Sequence, residues 1–318
     1  MASGEQIKAL LNAYYNSDDG KFKTVALQIA ASEARAGHSV LARDIKTIID
    51  KSTANNKIVK MKSDNQLFEC TISEHDEMEL VVAEEIRIRI ERILTEYRQR
   101  ERLRSYGMKN RSKILVEGIP GTGKTLTASV LASELNIPLY TVQMDKLITK
   151  FMGETSVKLR QIFETIASNR AVFLFDEFDA IGADRSLDNE VGEMRRVLNS
   201  FLQFLENDDS DSIIIAATNN HKMLDQALFR RFDDVLHYGY PDDEQIQKLF
   251  RLKLGTFYNG RAVTKKIREM AFGLSHAEIT KVCEDCIKII ILDDQKLNSQ
   301  LLERCLKERI AAYDSKEA

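Results

Sequence analysis

The sequence predicts an α/β fold built around a parallel sheet of five strands. Between residues 113 and 240, five apolar runs are rich in β-branched and aromatic residues, and helical segments separate the first four. This alternation is typical of a parallel sheet with helices on both faces. A glycine-rich string, GIPGTGKT, lies between the first run and the helix that follows it. The five runs are KILVE, PLYTVQM, AVFLF, SIIIAAT and DVLHY.

The segments on either side of the sheet are predicted to be helical. Residues 1–55 hold three segments with apolar residues at spacings of three and four, which indicates a small helical bundle. Residues 56–74 alternate polar and apolar side chains, which is typical of a hairpin or an extended linker. A long amphipathic helix is predicted over 76–105, with a coiled-coil arm as the competing interpretation. The predicted domains are 1–75, 76–240 and 241–318, the last being a helical lid of roughly four helices.

Composition and charge argue against several classes of protein, among them nucleic-acid-binding and membrane proteins. The chain has 318 residues, of which 30% are charged and 43% hydrophobic, and its net charge is −3. No overall basic field attracts it to nucleic acid, so a nucleic-acid partner is not expected. A signal-peptide pattern and an apolar stretch of ~20 residues are both missing from the sequence, so we expect a cytoplasmic protein without membrane contact. Cys283 and Cys286 form an isolated CxxC, which favours small buried side chains over a metal site.

GIPGTGKT fits the phosphate-binding pattern G-x-x-x-x-G-K-[ST] in the required context of strand, loop and helix. The glycines let backbone N–H groups surround phosphate oxygens, and the helix N-terminus adds a partial positive charge. Lys124 is expected to reach the β- and γ-phosphates, and the Thr125 hydroxyl to hold Mg²⁺. The string predicts ATP and Mg²⁺ as ligands, with Gly118, Pro120, Gly121, Thr122, Gly123, Lys124, Thr125 and Leu126 contacting the nucleotide.

Polar side chains follow two other predicted strands. Asp176 and Glu177 come directly after AVFLF, at the edge of the sheet where ligands bind in folds of this kind. Asp176 is predicted to hold Mg²⁺, directly or through water, and Glu177 to act as general base on the attacking water. Asn219 follows SIIIAAT, and it is predicted to position that water or to touch the γ-phosphate. Alone, the two carboxylates could be solvated groups at a helix start; the phosphate motif favours the catalytic interpretation.

Taken together, these motifs resemble those of the AAA ATPases, in the branch that includes katanin, spastin and FtsH. The resemblance covers about residues 78–318 and implies a homohexameric ATPase. LDQALFRRFDD at 224–234 is similar to the region whose arginines enter the neighbouring subunit's nucleotide site, which implicates Arg230 or Arg231. A surface pair bonded to Asp233 or Asp234 is the alternative.

The lid helix of that family begins over the adenine, and GLSHAEITKVCED resembles this start. The resemblance implies that His276 and Ala277 contact the nucleotide. It also implies that residues 106–108 flank the adenine. The family usually has glycine where this chain has His276. The imidazole would therefore either contact the base or ribose, or point to solvent.

KFMGE at 150–154 resembles the loop that projects into the central pore of AAA rings. Phe151, Met152 and Gly153 match its pattern of an aromatic residue, a hydrophobic residue and glycine. The resemblance also implies a second, more polar pore loop near residues 185–189. A flat aromatic ring can intercalate between the side chains of an extended polypeptide, and methionine adapts to varied neighbours. The resemblance thus implies a protein substrate in the pore, whereas packing of Phe151 in the core is the alternative.

FKTVALQIAASEARAGHSVLAR, in the N-terminal segment, is similar to the leading part of bacterial stand-alone AAA ATPases paired with a subtilisin-like protease. This resemblance implies a subtilisin-like serine protease as a partner, in a mobile-element or antiviral defence system. A bundle that only stabilises the ring is the alternative. The predicted function is a hexameric ATPase that remodels, unfolds or translocates proteins. The competing function is an ATP-controlled ring scaffold or switch that activates a partner without threading.

Overall fold

The computed structural model of the chain comprises two units, residues Met1–Lys60 and Met61–Ala318. In the first unit, helix α1 (Asp19–Arg35) buries Val25, Ala26 and Ala30. It confirms the second of the three predicted N-terminal helices; the other two lie outside the described residues, apart from single positions. The structure describes residues 8, 19–35, 38, 43, 67–73, 75, 77–148, 154–179, 190–219 and 229–314.

One sheet organises the second unit. Its strands are β1 (Phe68–Thr71), β2 (Lys113–Gly118), β3 (Leu139–Val142), β4 (Val172–Phe175), β5 (Ile213–Thr218) and β6 (Asp234–Tyr238). They lie in the order β1-β3-β4-β5-β2-β6, and β2 to β6 pair in parallel. The prediction of five parallel strands is therefore confirmed, and the five predicted runs supply them.

The sheet has one strand more than predicted. Strand β1 comes from the stretch where the alternating pattern indicated a hairpin or a linker. It pairs with β3 in antiparallel register, with Phe68 opposite Val142 and Thr71 opposite Leu139. A short alternating run shows that a strand can form, but its partner is chosen by packing, here from a segment about 70 residues away. The predicted domain boundaries at 75 and 240 stay predictions.

Helices cover both faces of the sheet. They are α2 (Glu84–Arg98), α3 (Arg100–Ser105), α4 (Lys124–Glu134), α5 (Met144–Leu147), α6 (Glu154–Ser168) and α7 (Glu190–Asn207). The apolar stripes of α2 and α4 pack on one face, and those of α6 and α7 on the other. The central strands β4 and β5 are buried along their whole length. Burial on both faces explains why these two strands are almost continuously apolar.

The long helix predicted over 76–105 begins later than expected. Its main part, α2, starts at Glu84. A 3₁₀ helix (Glu77–Glu79) and a non-helical segment, residues 80–83, precede it. In that segment Leu80 and Val82 are buried against the sheet, whereas Val81 is buried in the core of the C-terminal helices. In a regular helix, consecutive side chains lie about 100° apart around the axis. Here consecutive side chains pack into two different cores, so this segment does not form a regular helix.

The chain after the sheet forms the lid, residues 241–314, with four helices as predicted. These are α8 (Asp243–Leu254), α9 (Lys265–Met270), α10 (His276–Leu292) and α11 (Ser299–Asp314). The lid has its own apolar core, in which Cys283 and Cys286 are buried, as expected of small apolar side chains. Ser275 begins α10 with a capping box to Glu278. Among the described helices, none is long and apolar enough to cross a membrane.

Candidate nucleotide site

A cavity of about 440 Å³ opens at the carboxyl edge of the sheet. The loop between β2 and α4 forms one wall, and the residues that follow β4 and β5 form another. Residues 79–81 and the lid helices α8 and α10 enclose the remaining side. The cavity therefore lies where ligands bind in open parallel sheets, beside the N-terminus of a helix.

The glycine-rich loop contacts the lid directly. Gly121 has a φ of +75°, and a Cβ added there would lie 2.9 Å from both the Cβ of Ala277 and the Oγ of Ser275. The N–H of Ala277 donates a hydrogen bond of 2.9 Å to the Gly121 carbonyl. Only glycine fits this position without displacing the lid, because both the backbone angle and the available space exclude a side chain.

Lys124 is buried at the base of this loop. Its Nζ donates hydrogen bonds of 2.9 Å to the carbonyls of Gly118 and Ile119. Burial lowers the pKa of Lys124, and the nearby carboxylates of Asp176 and Asp179 oppose part of that reduction. The ammonium group is thus held by backbone dipoles within the loop, in a position to exchange them for phosphate oxygens.

The hydroxyl of Thr125 and the carboxylate of Asp176 meet at the same place. Thr125 Oγ1 donates a hydrogen bond of 2.7 Å to Asp176 Oδ2. A hydroxyl and a carboxylate are the hard oxygen ligands that Mg²⁺ prefers, so the two residues fit this ion. Within the described residues, no group of three or more His, Cys, Asp or Glu could hold a metal. Mg²⁺ commonly takes phosphate and water oxygens beside a few protein ligands.

Glu177 lines the cavity in an unusual backbone conformation. Its φ is +52°, in the left-handed region, where a residue other than glycine costs about 1–2 kcal/mol. The N–H of Glu177 donates to Asp176 Oδ1 at 2.9 Å, which helps to hold this turn. Strain of this kind is often found at functional sites. The turn leaves the Glu177 side chain exposed on the cavity wall.

Asn219 also lines the cavity, and Asp179 holds its backbone. Asp179 Oδ1 accepts hydrogen bonds of 3.3 Å from the Asn219 N–H and from Thr218 Oγ1. This carboxylate ties the turn after β4 to the end of β5. Asn219 is thereby held beside the turn that contains Glu177.

The far end of the cavity is formed by the start of α10, by residues of α8 and by the segment that precedes α2. His276 is the first residue of α10, and both of its ring nitrogens are buried. Burial lowers the pKa of His276, so the ring is neutral at neutral pH. The other lining residues at this end are Glu79, Leu80, Val81, Leu249, Lys253, Ala277 and Thr280.

Comparison with known proteins agrees with this architecture. Residues 114–240 match the ATPase family associated with various cellular activities (AAA). A protein of Sinorhizobium fredii named uncharacterized AAA family ATPase y4kL is 35% identical over 308 residues, covering 93% of this chain and 92% of the relative. The chain belongs to the AAA family. It is accordingly an ATPase.

Two further relatives of this AAA ATPase belong to proteolytic systems by name. A putative 26S proteasome regulatory subunit homolog of Methanothermobacter thermautotrophicus is 28% identical over 275 residues, which are 84% of this chain and 72% of the relative. An ATP-dependent zinc metalloprotease FtsH of Mycoplasmopsis synoviae is 32% identical over 192 residues, 58% of this chain and 29% of the relative. The similarity thus extends to the branch that the sequence motifs resemble.

The two candidate arginines of the AAA ATPase lie outside its own cavity wall. Arg230 and Arg231 are both exposed, and neither lines the cavity. Arg231 forms an ion pair with Glu206 of α7. The alternative partners are engaged elsewhere: Asp233 accepts from two backbone N–H groups at 2.9 Å, and Asp234 pairs with an arginine of α2 at 3.2 Å. Exposed ion pairs contribute little free energy, so Arg231 can leave Glu206 at small cost.

The structure brings most of the predicted nucleotide residues together. Of the predicted loop residues, those from 120 to 126 line the cavity, and Gly118 contributes a carbonyl to Lys124. Asp176, Glu177, Asn219, His276 and Ala277 line the same space. Their roles stay predictions. Phe151, Met152 and Gly153 lie outside the described residues, as does the second pore loop expected near 185–189.

One expectation was wrong, and several residues were missed. Residues 106–108 were expected to flank the adenine, but Gly107 and Met108 line a different cavity, beside the acidic loop 208–211. Glu79, Leu80 and Val81 line the cavity beside the phosphate loop instead. A predicted helix concealed this segment, although Val81 and Val82 before a charged helix start could have suggested a break. Lys253 and Asp179 had no sequence signal beyond their place near recognised motifs.

Proposed function

We propose that this AAA ATPase acts in the cytoplasm as a homohexamer that remodels, unfolds or translocates protein substrates. The proposal rests on where the catalytic groups lie relative to the cavity. The groups suited to bind phosphate and to activate water line one cavity, whereas the exposed arginines lie outside that cavity. A ring of identical chains would bring the arginines of one chain to the cavity of the next, through a heterologous interface that closes on itself.

Hydrolysis at this site would transfer the γ-phosphoryl group to water. Glu177 accepts a proton as the water oxygen bonds to the γ-phosphorus, and the bond from that phosphorus to the β–γ bridging oxygen breaks to release ADP. Lys124 neutralises phosphate oxygens, and Asn219 orients the water. When bound by Thr125 and Asp176, Mg²⁺ supplies positive charge to the β- and γ-phosphate oxygens.

The arginines complete the charge stabilisation. Negative charge on the γ-phosphoryl oxygens must be matched in the transition state, and an arginine supplied from a neighbour typically contributes about 10³- to 10⁵-fold in turnover. Arg230 and Arg231 are the candidates, and the Arg231–Glu206 ion pair is weak enough to break on assembly. An isolated chain should therefore hydrolyse ATP slowly, and specific activity should rise with protein concentration.

A mixing experiment tests whether an arginine acts in trans. Lys124→Ala is expected to lose most activity alone, and so is whichever of Arg230→Ala and Arg231→Ala removes the trans-acting arginine. Mixed one to one with Lys124→Ala, the variant that lacks the trans-acting arginine should recover up to about a quarter of wild-type turnover, because that share of interfaces is intact. Mixing Lys124→Ala with Glu177→Gln is the matched control, since those two defects lie in one chain's site and no intact site can form. Absence of recovery for both arginine variants would contradict the proposal.

The base is tested by Glu177→Gln. This variant should bind ATP with unchanged affinity and turn it over about 10²- to 10⁴-fold more slowly, the usual contribution of general acid–base catalysis. Glu164→Gln, an exposed residue on α6, is the control and should behave as wild type. Wild-type turnover in Glu177→Gln would show that another group activates the water.

Protein substrates are supported by the relatives and by the loop sequence. Relatives of this chain include an FtsH protease, a proteasome regulatory subunit homolog and the vacuolar protein sorting-associated protein 4 of Dictyostelium discoideum. In such a ring, Phe151 with Met152 and Gly153 would grip an extended chain in the pore. The N-terminal similarity suggests that a subtilisin-like serine protease receives or controls the product, in a defence system.

Phe151→Ala separates threading from an ATP-controlled scaffold or switch. The variant should retain most ATPase activity but lose ATP-dependent unfolding of a fluorescent protein that carries an unstructured tail. Tyr106→Ala removes another aromatic residue, 76% exposed, and should unfold the same substrate normally. Unfolding by Phe151→Ala at the wild-type rate would refute the pore role. Failure of the wild-type ring to unfold it would favour the switch.

A further inference from the structure

The turn after β4 is attached to the end of β5 by hydrogen bonds in addition to the pairing of the two strands. Asp179 Oδ1 accepts bonds of 3.3 Å from the Asn219 N–H and from Thr218 Oγ1. The Phe178 N–H donates a 2.8 Å bond to the carbonyl of Ala217, and the Phe178 side chain is fully buried. These contacts fix the backbone at the point where β5 reaches the cavity.

Asp179 itself lies behind the cavity wall. It is partly buried and is not among the described residues that line the cavity, whereas Asn219 is exposed and lines it. The paired residues of β5 end at Thr218, one position before Asn219. The direction of the Asn219 side chain therefore depends on how its backbone is held beyond the strand, and its N–H is held by the Asp179 carboxylate.

We propose that Asp179 is a positioning residue for ATP hydrolysis, which directs the Asn219 amide at the attacking water by fixing the Asn219 backbone. The inference rests on the role proposed for Asn219. Reacting atoms must lie in a narrow range of positions, and a displacement of about 1 Å can cost about 10²-fold in rate. Asp179→Ala should therefore lower kcat by about 10- to 100-fold and leave the KM for ATP within about twofold of wild type, since the phosphate loop is unchanged.

Asn219→Ala provides the background that separates positioning from stability. This variant keeps the backbone N–H that Asp179 accepts, but it has no amide to direct. Asp179→Ala should therefore lower the free energy of unfolding equally with and without Asn219→Ala, whereas its effect on kcat should shrink to less than about twofold in the Asn219→Ala background. Turnover of the full chain is measured at protein concentrations where the specific activity of wild type no longer rises.

Two conservative variants distinguish the position of the Asp179 carboxylate from its charge, which acts on nearby Lys124. Asp179→Asn keeps an oxygen acceptor at the same place but loses the charge. Asp179→Glu keeps the charge but moves the oxygens by one methylene group. Asp179→Asn should therefore retain more of the wild-type kcat than Asp179→Glu. The reverse order would overturn the inference, because the charge beside Lys124 would then set the rate.

Ser212 provides the matched control at the opposite ends of the same two strands. Its Oγ accepts a 3.3 Å hydrogen bond from the Ala171 N–H and donates to the carbonyl of Asn169. Ser212→Ala should therefore destabilise the protein to urea, as Asp179→Ala does, but leave kcat unchanged. An equal loss of kcat in the two variants would overturn the inference, because general weakening of the sheet would then explain both.

The outcomes separate this inference from the function on which it rests. Wild-type kcat in Asp179→Ala, beside a low kcat in Asn219→Ala, would overturn the inference alone. Losses that multiply in the double variant would do the same, because Asp179 would then act through another group. Wild-type kcat in Asn219→Ala would overturn the proposed role of Asn219 together with the inference.

Discussion

Alanine at Gly121 should weaken the packing between the phosphate loop and the lid. A Cβ at Gly121 would lie 2.9 Å from the Cβ of Ala277 and from the Oγ of Ser275. The same residue has a φ of +75°, and its carbonyl accepts a hydrogen bond from the Ala277 N–H. The added methyl group must therefore displace the first turn of α10, which also begins the wall around the base.

Two costs add at this position. The left-handed backbone costs about 1–2 kcal/mol for alanine. Extra volume in a packed contact typically costs a further ~1–3 kcal/mol. Gly107→Ala isolates the first cost, because Gly107 has a φ of +73° but nothing lies within 4 Å of its added Cβ. Gly121→Ala should thus lower the free energy of unfolding by about 1–3 kcal/mol more than Gly107→Ala.

Urea denaturation of the nucleotide-free protein measures this difference. Adding Ala277→Gly to Gly121→Ala removes one of the two contacting atoms, so it should restore part of the lost free energy, whereas Ala277→Gly alone should be mildly destabilising. ATP affinity should fall in Gly121→Ala and stay near wild type in Gly107→Ala. Equal losses of stability in the two alanine variants would refute the argument, since contact with the lid would then contribute nothing.

Three other perturbations have defined outcomes. The free energy of unfolding should fall from about pH 7 to 5 more steeply in wild type than in His276→Phe, because the unfolded histidine takes up a proton that the buried ring, with its lowered pKa, resists. A thiol reagent at about pH 8 should label exposed Cys70 quickly, but not Cys283, since burial raises the pKa of that thiol to about 12. Tyr238→Phe should cost about 1 kcal/mol, because it removes a buried 2.5 Å hydrogen bond to Thr127.

Each of these has a control and a contradicting result. Parallel pH curves for wild type and His276→Phe would show that the ring is not resisting protonation. Cys70→Ser should lose the fast labelling phase, and fast labelling of a second thiol in the folded protein would mean that the lid core is open. Tyr258→Phe, a partly buried tyrosine of the lid, controls for loss of a hydroxyl group. Equal stability of Tyr238→Phe and wild type would contradict the assigned hydrogen bond.

Sequence patterns predicted the elements that are formed by residues close together in the chain. The five apolar runs became the parallel strands, and the apolar pattern is clearest in β4 and β5, which are buried on both faces. GIPGTGKT predicted its own loop, since the glycines, Lys124 and Thr125 are close in the chain and sit between a strand and a helix. The chain after the sheet was predicted to be helical, and the structure has four α-helices there, of which Ser275 caps one.

Patterns failed where a residue's role depends on a distant partner. The alternation around Phe68 indicated a strand, but the sequence did not show that this strand pairs with β3. The helix pattern from 76 onward concealed the segment at Leu80 and Val81, which is non-helical because its side chains pack into two different cores. A helical spacing of apolar residues marks a single buried face of a helix. A segment whose side chains pack into two cores therefore does not show that spacing.

The sequence by itself determined the class of this protein: a parallel sheet with a phosphate loop, two carboxylates after a buried strand, and a helical lid. These features arise from residues near each other in the chain, whose chemistry can be read directly. Only the tertiary structure decided what surrounds the base. It placed Val81, Lys253 and His276 around one cavity, and it pressed Gly121 against Ala277. Those contacts join segments far apart in sequence, and packing alone selects them.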